Sequence, residues 1–153
     1  YKGKPTWIWN SLGDIAINKG FEWMKALGSD IVIPKDRGWV CKMINDLKKT
    51  KKIGIAAGDS GNPELPMTQF LIHKTHIQTF GWIFPPQIEN WGCDNWIQEV
   101  YPKSFVHYSP QLKLFNLGGS PRYEIKFSRP FIDALVQRHR PTVNRRINKS
   151  SAR

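Results

Sequence analysis

The stretch Ala26-Leu27-Gly28-Ser29-Asp30-Ile31-Val32-Ile33-Pro34 joins two incompatible backbone habits within nine residues. Upstream, Ile17, Phe21, Met24 and Leu27 recur at helical spacing, which predicts a helix from Ile15 to Leu27 ended by Gly28 as a C-terminal cap. Downstream, Ile31-Val32-Ile33 is short, β-branched and closed by Pro34, so it reads as a buried strand or its end. A helix that passes directly into a buried strand calls for an α/β layer arrangement. It also sets Asp30 at a strand edge, where a carboxylate can reach a crevice and hold a divalent ion. Asp30 is equally suited to a turn after a helix stop, and that simpler role stands beside the chemical one.

The same alternation runs along the rest of the chain. Thr6 to Asn10 reads as a short strand or extended entry, with Ser11-Leu12-Gly13-Asp14 as a turn. Trp39 to Lys49 reads as an amphipathic helix with Val40, Met43, Ile44 and Leu47 inward, and the charges of Lys48, Lys49, Lys51 and Lys52 suit the negative pole of its dipole. Ile53 to Gly58 is the next strand, its small residues inviting close approach by a neighbour or ligand. The polar loop Asp59 to Pro66 follows that strand end, the place where open α/β sheets bind ligands. Met67 to His73 predicts a strand, Lys74 to Phe80 a short helix ended by Gly81, and Trp82 to Pro86 an aromatic, proline-stiffened loop. A helix from about Trp96 to Tyr101, a strand at Phe105 to Tyr108, a glycine-rich turn at Leu117 to Tyr123 and a last short helix at Phe131 to Gln137 complete the pattern. Gly118 and Gly119 fit neither a P-loop nor a dinucleotide fingerprint.

A chain of 153 residues with 40% hydrophobic content and seven tryptophans can bury a core of its own. Its formal charge of +11 points to polyanionic or phosphorylated partners. Much of that excess lies from Lys126 onward, where Arg138, Arg140, Arg145, Arg146 and Lys149 face no acid beyond Asp133. Such an arm is either a solvated tail or an extension that binds nucleic acid or a large assembly. Residues 1–125 are therefore expected to form the α/β domain and 126–153 a basic C-terminal extension. Cys41 and Cys93 show no CxxC spacing, which favours a reducing, intracellular compartment over a zinc site or disulfide framework. No apolar run approaches bilayer length, so no membrane span is expected.

Three groups with chemical potential stand at strand ends or loop starts: Asp30, Asp94 and His107. Each has a structural alternative, an N-cap for an Asp before a helix and a satisfied half-buried role for a His among aromatics. Together they make a workable transferase set: an Asp and a His holding a metal, and a second carboxylate taking a proton from an attacking hydroxyl. His73 and His76 are three apart, but a strand-to-helix break between them argues against a shared metal. A GxSxG nucleophile elbow is absent. Trp82, Phe84, Trp91 and Trp96 can stack on a sugar or base, or simply fill a core.

In order, Asn18-Lys19-Gly20, Ser29-Asp30-Ile31 with Pro34 and Trp39, Ile53-Gly54-Ile55, Gln69-Phe70-Leu71-Ile72-His73-Lys74, Phe80-Gly81-Trp82 and Cys93-Asp94-Asn95-Trp96 resemble the GT-A-fold glycosyltransferases over roughly residues 9–123. The branch closest in character includes the glucosyltransferase of base J synthesis and related glycosyltransferase-like domains. The resemblance implies an α/β fold with a GT-A-like mixed sheet flanked by helices, lacking the first strands of the nucleotide-binding half, which are expected upstream of Tyr1. It implies transfer of a sugar from a nucleotide-sugar donor to a hydroxyl acceptor. Donor contacts would fall to Asn18, Ser29 and Asp30, and Mn²⁺ or Mg²⁺ to Asp30 and His107. Asp94 would be the catalytic base. A different reading keeps the domain but not the catalysis, using the basic arm to dock on nucleic acid or a large assembly.

Overall fold

A computed structural model of the chain describes residues 2–28, 31–35, 38–61, 67–117 and 123–152. Helices α1 (Pro5–Asn18), α2 (Trp39–Lys49), α3 (Thr75–Phe80), α4 (Cys93–Val100) and α5 (Arg129–Ser151) alternate with strands β1 (Trp23–Lys25), β2 (Ile31–Val32), β3 (Ile55–Asp59), β4 (Phe70–His73), β5 (Val106–Lys113) and β6 (Phe115–Asn116). Four strands form a mixed sheet in the order β1-β4-β3-β5. Its β3–β5 pair is parallel and the others antiparallel. β2 and β6 make a separate antiparallel ribbon.

Alternation along the strands sends side chains to two cores. Ile55 and Ala57 of β3, with Phe70 and Ile72 of β4, join Ile77, Trp96, Ile97, Val100, Ile132, Leu135, Val136 and Val143 on the face covered by α3, α4 and α5. Trp9 and Ile17 of α1 pack on the same face. Ala56 and Leu71 point the other way and meet Met43 and Leu47 of α2 with Leu112 and Leu114. The expected α2 is present over its full expected length, and Met43 and Leu47 are fully buried. The strand expected at residues 53–58, the helix ended by Gly81 and the aromatic loop after it are also present, Gly81 taking φ +84°.

Four expectations are corrected. Residues 6–10 are neither strand nor extended: Pro5 opens α1 at a position where its missing N–H costs nothing, and the helix runs straight through the supposed turn at Ser11 to Asp14. A glycine is tolerated mid-helix because Gly13 is the contact point, where an added Cβ would sit 2.9 Å from Cδ1 of Ile83. The helix predicted from Ile15 to Leu27 instead ends at Asn18. Gly20 then turns the chain at φ +81°, and Trp23–Lys25 pair with β4. Tertiary pairing overrode helical spacing there, reinforced by Lys74 N–H to Glu22 O at 2.7 Å and Ala26 N–H to Phe70 O at 2.9 Å.

The run Ile31–Val32 is a strand, but a surface one, with Val32 45% and Ile33 51% exposed. Finally, the short helix at residues 131–137 and the basic arm are one 23-residue helix containing Pro141. Residues 126–153 are therefore not set apart from the α/β layers, since Ile132, Leu135, Val136 and Val143 belong to their core. No helix among the described residues is long and apolar enough to cross a membrane.

Candidate functional site

The aromatic loop 82–91 delivers the chain to α4, and α1 holds it in place. Asn10 Oδ1 accepts the N–H groups of Ile83 and Phe84, both at 2.9 Å, while its Nδ2 donates to Phe84 O at 2.9 Å. Trp7 Nε1 donates to Pro86 O at 3.0 Å. The Thr6 hydroxyl, fully buried, reaches the carbonyl oxygens of Ile88 and Glu89, the latter at 2.8 Å. Three side chains from the first turns of α1 thus satisfy backbone groups that a buried loop would otherwise strand.

Asn90 then clasps the last step. Its Nδ2 donates to Gly3 O at 3.2 Å and Glu124 O at 3.0 Å, and its Oδ1 accepts Trp91 N–H at 2.6 Å and Lys126 N–H at 3.0 Å. Gly92 follows at φ +92°, and α4 starts at Cys93. Asp94 is accordingly inside the first turn of α4 and not its N-cap. Its carboxyl is half-buried, and burial pushes its pKa up to about 7 against the pull of the helix N-terminus. Burial and the Asp94 charge raise the neighbouring Cys93 thiol. Tyr123 lies near this turn: its pKa is raised by burial, with Cys93 and Asp94 adding to the shift. Trp91, three residues before Asp94, stays 45% exposed. A half-buried acid poised near neutrality can take a proton from a hydroxyl group brought to it.

The other expected site residues do not gather here. His107 pairs in register with Ala56 and faces α2, on the far side of the sheet from α4. Its Nε2 is 3.1 Å from the Thr50 hydroxyl, which donates to Ile53 O at 2.7 Å. Burial lowers the pKa of His107, opposed by nearby Asp46. Asp46 was not foreseen. It is buried in α2, where burial would raise its pKa, but Lys49 at 2.6 Å and Lys42 at 3.7 Å hold it below the usual carboxylate range. His107 therefore belongs to a structural polar cluster of α2 and β5.

Asn18 is the exposed last residue of α1. Ser29 and Asp30 lie outside the described residues, as do Gly118 and Gly119. Among the described residues no three His, Cys, Asp or Glu side chains cluster as a cation site. Of the two residues that the resemblance assigns to Mn²⁺ or Mg²⁺, His107 is bound into the α2 side and Asp30 lies outside the described residues. His73 and His76 do not share a site either: His76 Nδ1 is 2.7 Å from the Tyr101 hydroxyl and its Nε2 2.9 Å from Ile83 O, whereas His73 Nδ1 accepts Thr75 N–H at 3.2 Å. Trp82, Phe84 and Trp96 pack in or against the core, leaving Trp91 as the tryptophan of the set that is exposed.

The basic residues of α5 divide between two flanks. Arg138, Arg145 and Lys149 recur at seven and four residues and share an exposed row, with Arg145 donating to Thr142 Oγ1 at 3.1 Å. Arg140 lies on the opposite flank and donates to Glu99 O at 2.6 Å, near the Arg129–Glu99 pair at 2.7 Å. No protein-family model, no curated protein and no solved structure matches the chain.

Proposed function

We propose that this chain is a glycosyltransferase domain that moves a sugar from a nucleotide-sugar donor to a hydroxyl acceptor, with Asp94 as general base. The observation that carries the reading is the start of α4, where burial pushes the half-buried Asp94 up to a pKa of about 7 three residues after the exposed Trp91, on a turn held by Asn90 and Gly92. In this reading the acceptor sugar or ring lies against Trp91, whose face suits the apolar side of a pyranose. The ionised Asp94 accepts the acceptor's hydroxyl proton as that oxygen bonds to the anomeric carbon, and the nucleoside diphosphate departs with the former bond pair. Burial keeps Asp94 half-ionised near neutrality, where both a competent charge state and a useful proton affinity are present. A divalent ion enters the proposal through Asp30 alone, and no step is derived from it.

Two measurements test the proposal. Calorimetric titration with UDP and UDP-sugars, with and without Mn²⁺ and beside Asp30→Ala, checks for a donor site. An acceptor screen by mass spectrometry then compares the natural chain with Asp94→Asn. Transfer that disappears in Asp94→Asn while donor binding persists is the expected result. Equal transfer by that variant removes Asp94 from the mechanism, and no binding of any sugar nucleotide overturns the assignment.

A further inference from the structure

Between α2 and α5 the chain builds a cationic cleft. A hollow of about 360 Å³ lies between the turn after α2 and the last turns of α5, lined by Lys51, Ile53, Arg146, Lys149 and Ser150. Both segments that form it, residues 47–58 and 134–153, contain no Asp or Glu. The acids nearest in the fold are committed elsewhere: Glu22 to Lys74 at 2.8 Å and Asp46 to Lys42 and Lys49. Among the described residues, Lys51, Arg146 and Lys149 have no acidic partner within ion-pair distance.

Three features argue against an ordinary solvated face. Arg146 is half-buried, and no acidic side chain among the described residues stands at ion-pair distance from it. Lys51 and Lys52 are successive non-glycine residues in the left-handed region, φ +52° and +65°, a conformation that needs outside support. That support is visible: Lys52 N–H bonds Leu47 O at 2.8 Å, the Thr75 hydroxyl bonds Lys52 O, and Lys51 Nζ donates to Ser150 O at 2.6 Å, tying the turn to α5. The cleft also continues into the exposed row Arg138, Arg145 and Lys149, which runs about 16 Å along the helix axis at 1.5 Å per residue.

From this arrangement we infer that the cleft and the α5 row bind the phosphodiester backbone of a nucleic acid, independently of any sugar transfer. Sixteen ångströms is about the axial length of five phosphates on one duplex strand. Arginine forks suit phosphate oxygens better than lysine point charges, and Arg138, Arg145 and Arg146 supply three such forks along the row and cleft. A lipid surface fits less well, because membrane-lying helices set Trp, Phe or Leu beside their cations. No large hydrophobic side chain is exposed in residues 134–152 or 47–58. The contacts would read charge and spacing, with no base selectivity.

The test is fluorescence anisotropy of the full chain with a short fluorescein-labelled oligonucleotide, single-stranded and duplex, across about 50 to 200 mM salt. The natural chain should bind with steep salt dependence. Arg146→Gln with Lys149→Gln should weaken binding at least tenfold at low salt and make the slope of log affinity against log salt shallower by about 1.5 to 2. Lys113→Gln, at the far end of the β3–β5 pair from Ile53 and paired with Asp59, should change neither. Far-UV circular dichroism checks the double variant's fold, and Lys149→Glu, altering one exposed side chain, gives the same reading should Arg146 prove structural. Unchanged affinity and slope in these variants overturn the proposal. So does tighter binding to phosphatidylserine vesicles than to either oligonucleotide, which would reassign the cleft to lipid headgroups.

Discussion

An added Cβ on Gly92 would lie 2.7 Å from Cδ1 of Ile132, so the residue that opens α4 touches the first turn of α5 as closely as backbone permits. Two effects converge at this position. Its φ of +92° lies where side chains are strained, and the space a side chain needs is already filled by Ile132 and Phe127. Gly92→Ala should therefore destabilise the fold by about 2 kcal/mol or more in urea unfolding. Ile132→Ala added to it should recover part of the steric share and none of the backbone share. Additive losses in that double variant would show that the two elements do not press on one another.

Asn90 makes a second test of how the corner is held. Its amide serves two carbonyl groups and two N–H groups from segments as far apart as Gly3 and Lys126. Asn90→Ala strands several partly buried backbone groups, for an expected loss of about 2 to 4 kcal/mol. Hydrogen exchange distinguishes clasp from bystander: the Trp91 and Lys126 amides should lose protection in the variant well before core amides of β3 and β4 do.

The difference between what was readable from the chain and what was not follows sequence distance. α2 was legible because Met43 and Leu47 repeat one local period and one core takes both. Asp94 was legible as an acid near a helix start. The pieces that make its setting were not, because Thr6 and Asn10 hold the loop before α4, and Asn90 holds Gly3, Glu124 and Lys126, across 34 to 87 residues through backbone groups that carry no sequence pattern. Helical spacing misled at Phe21, which follows the turn at Gly20, and at Met24, where pairing with β4 decides the backbone. Charge misled at the C-terminus: the cations of α5 read as a loose arm, while Val143, one residue in a polar stretch, is fully buried. His107 matched the required type for a metal ligand, but only sheet register shows that it faces α2.

Because Val143 is fully buried and Ile147 packs against the same core, α5 is a structural element as well as a basic one. Deleting residues 141–153 should cost several kcal/mol and lower Tm sharply, since each large apolar side chain removed from a core costs on the order of 1 to 4 kcal/mol. Replacing Arg138 and Arg145, both exposed, by Gln should stay within about 0.5 kcal/mol. Differential scanning calorimetry on the two variants separates the roles. A deletion that melts like the natural chain would return the segment to the status of a tail.

The pH profile of stability tests two buried histidines and the half-buried Asp94 at once. His76, enclosed by Tyr101 and Ile83, and His73 both have pKa values lowered by burial to about 4. Between about pH 4 and the unfolded value near 6.5 the unfolded chain holds their protons and the folded chain does not, so these two groups make stability rise with pH across that window. Asp94 acts with the opposite sign. Burial raises its folded pKa to about 7, so from about pH 4 to 7 the folded chain holds a proton that the unfolded chain has lost, and stability falls as pH rises. One group thus offsets about half of what the histidines contribute, at most about 1.4 kcal/mol per pH unit for each group. Asp94→Asn should leave stability near pH 4 almost unchanged, steepen its rise through pH 6, and leave the variant more stable than the natural chain at pH 8. Urea midpoints at these pH values decide it. A variant less stable at pH 8 would mean that the Asp94 carboxylate is held by a favourable partner, and the picture of a strained acid kept for chemistry would fall with it.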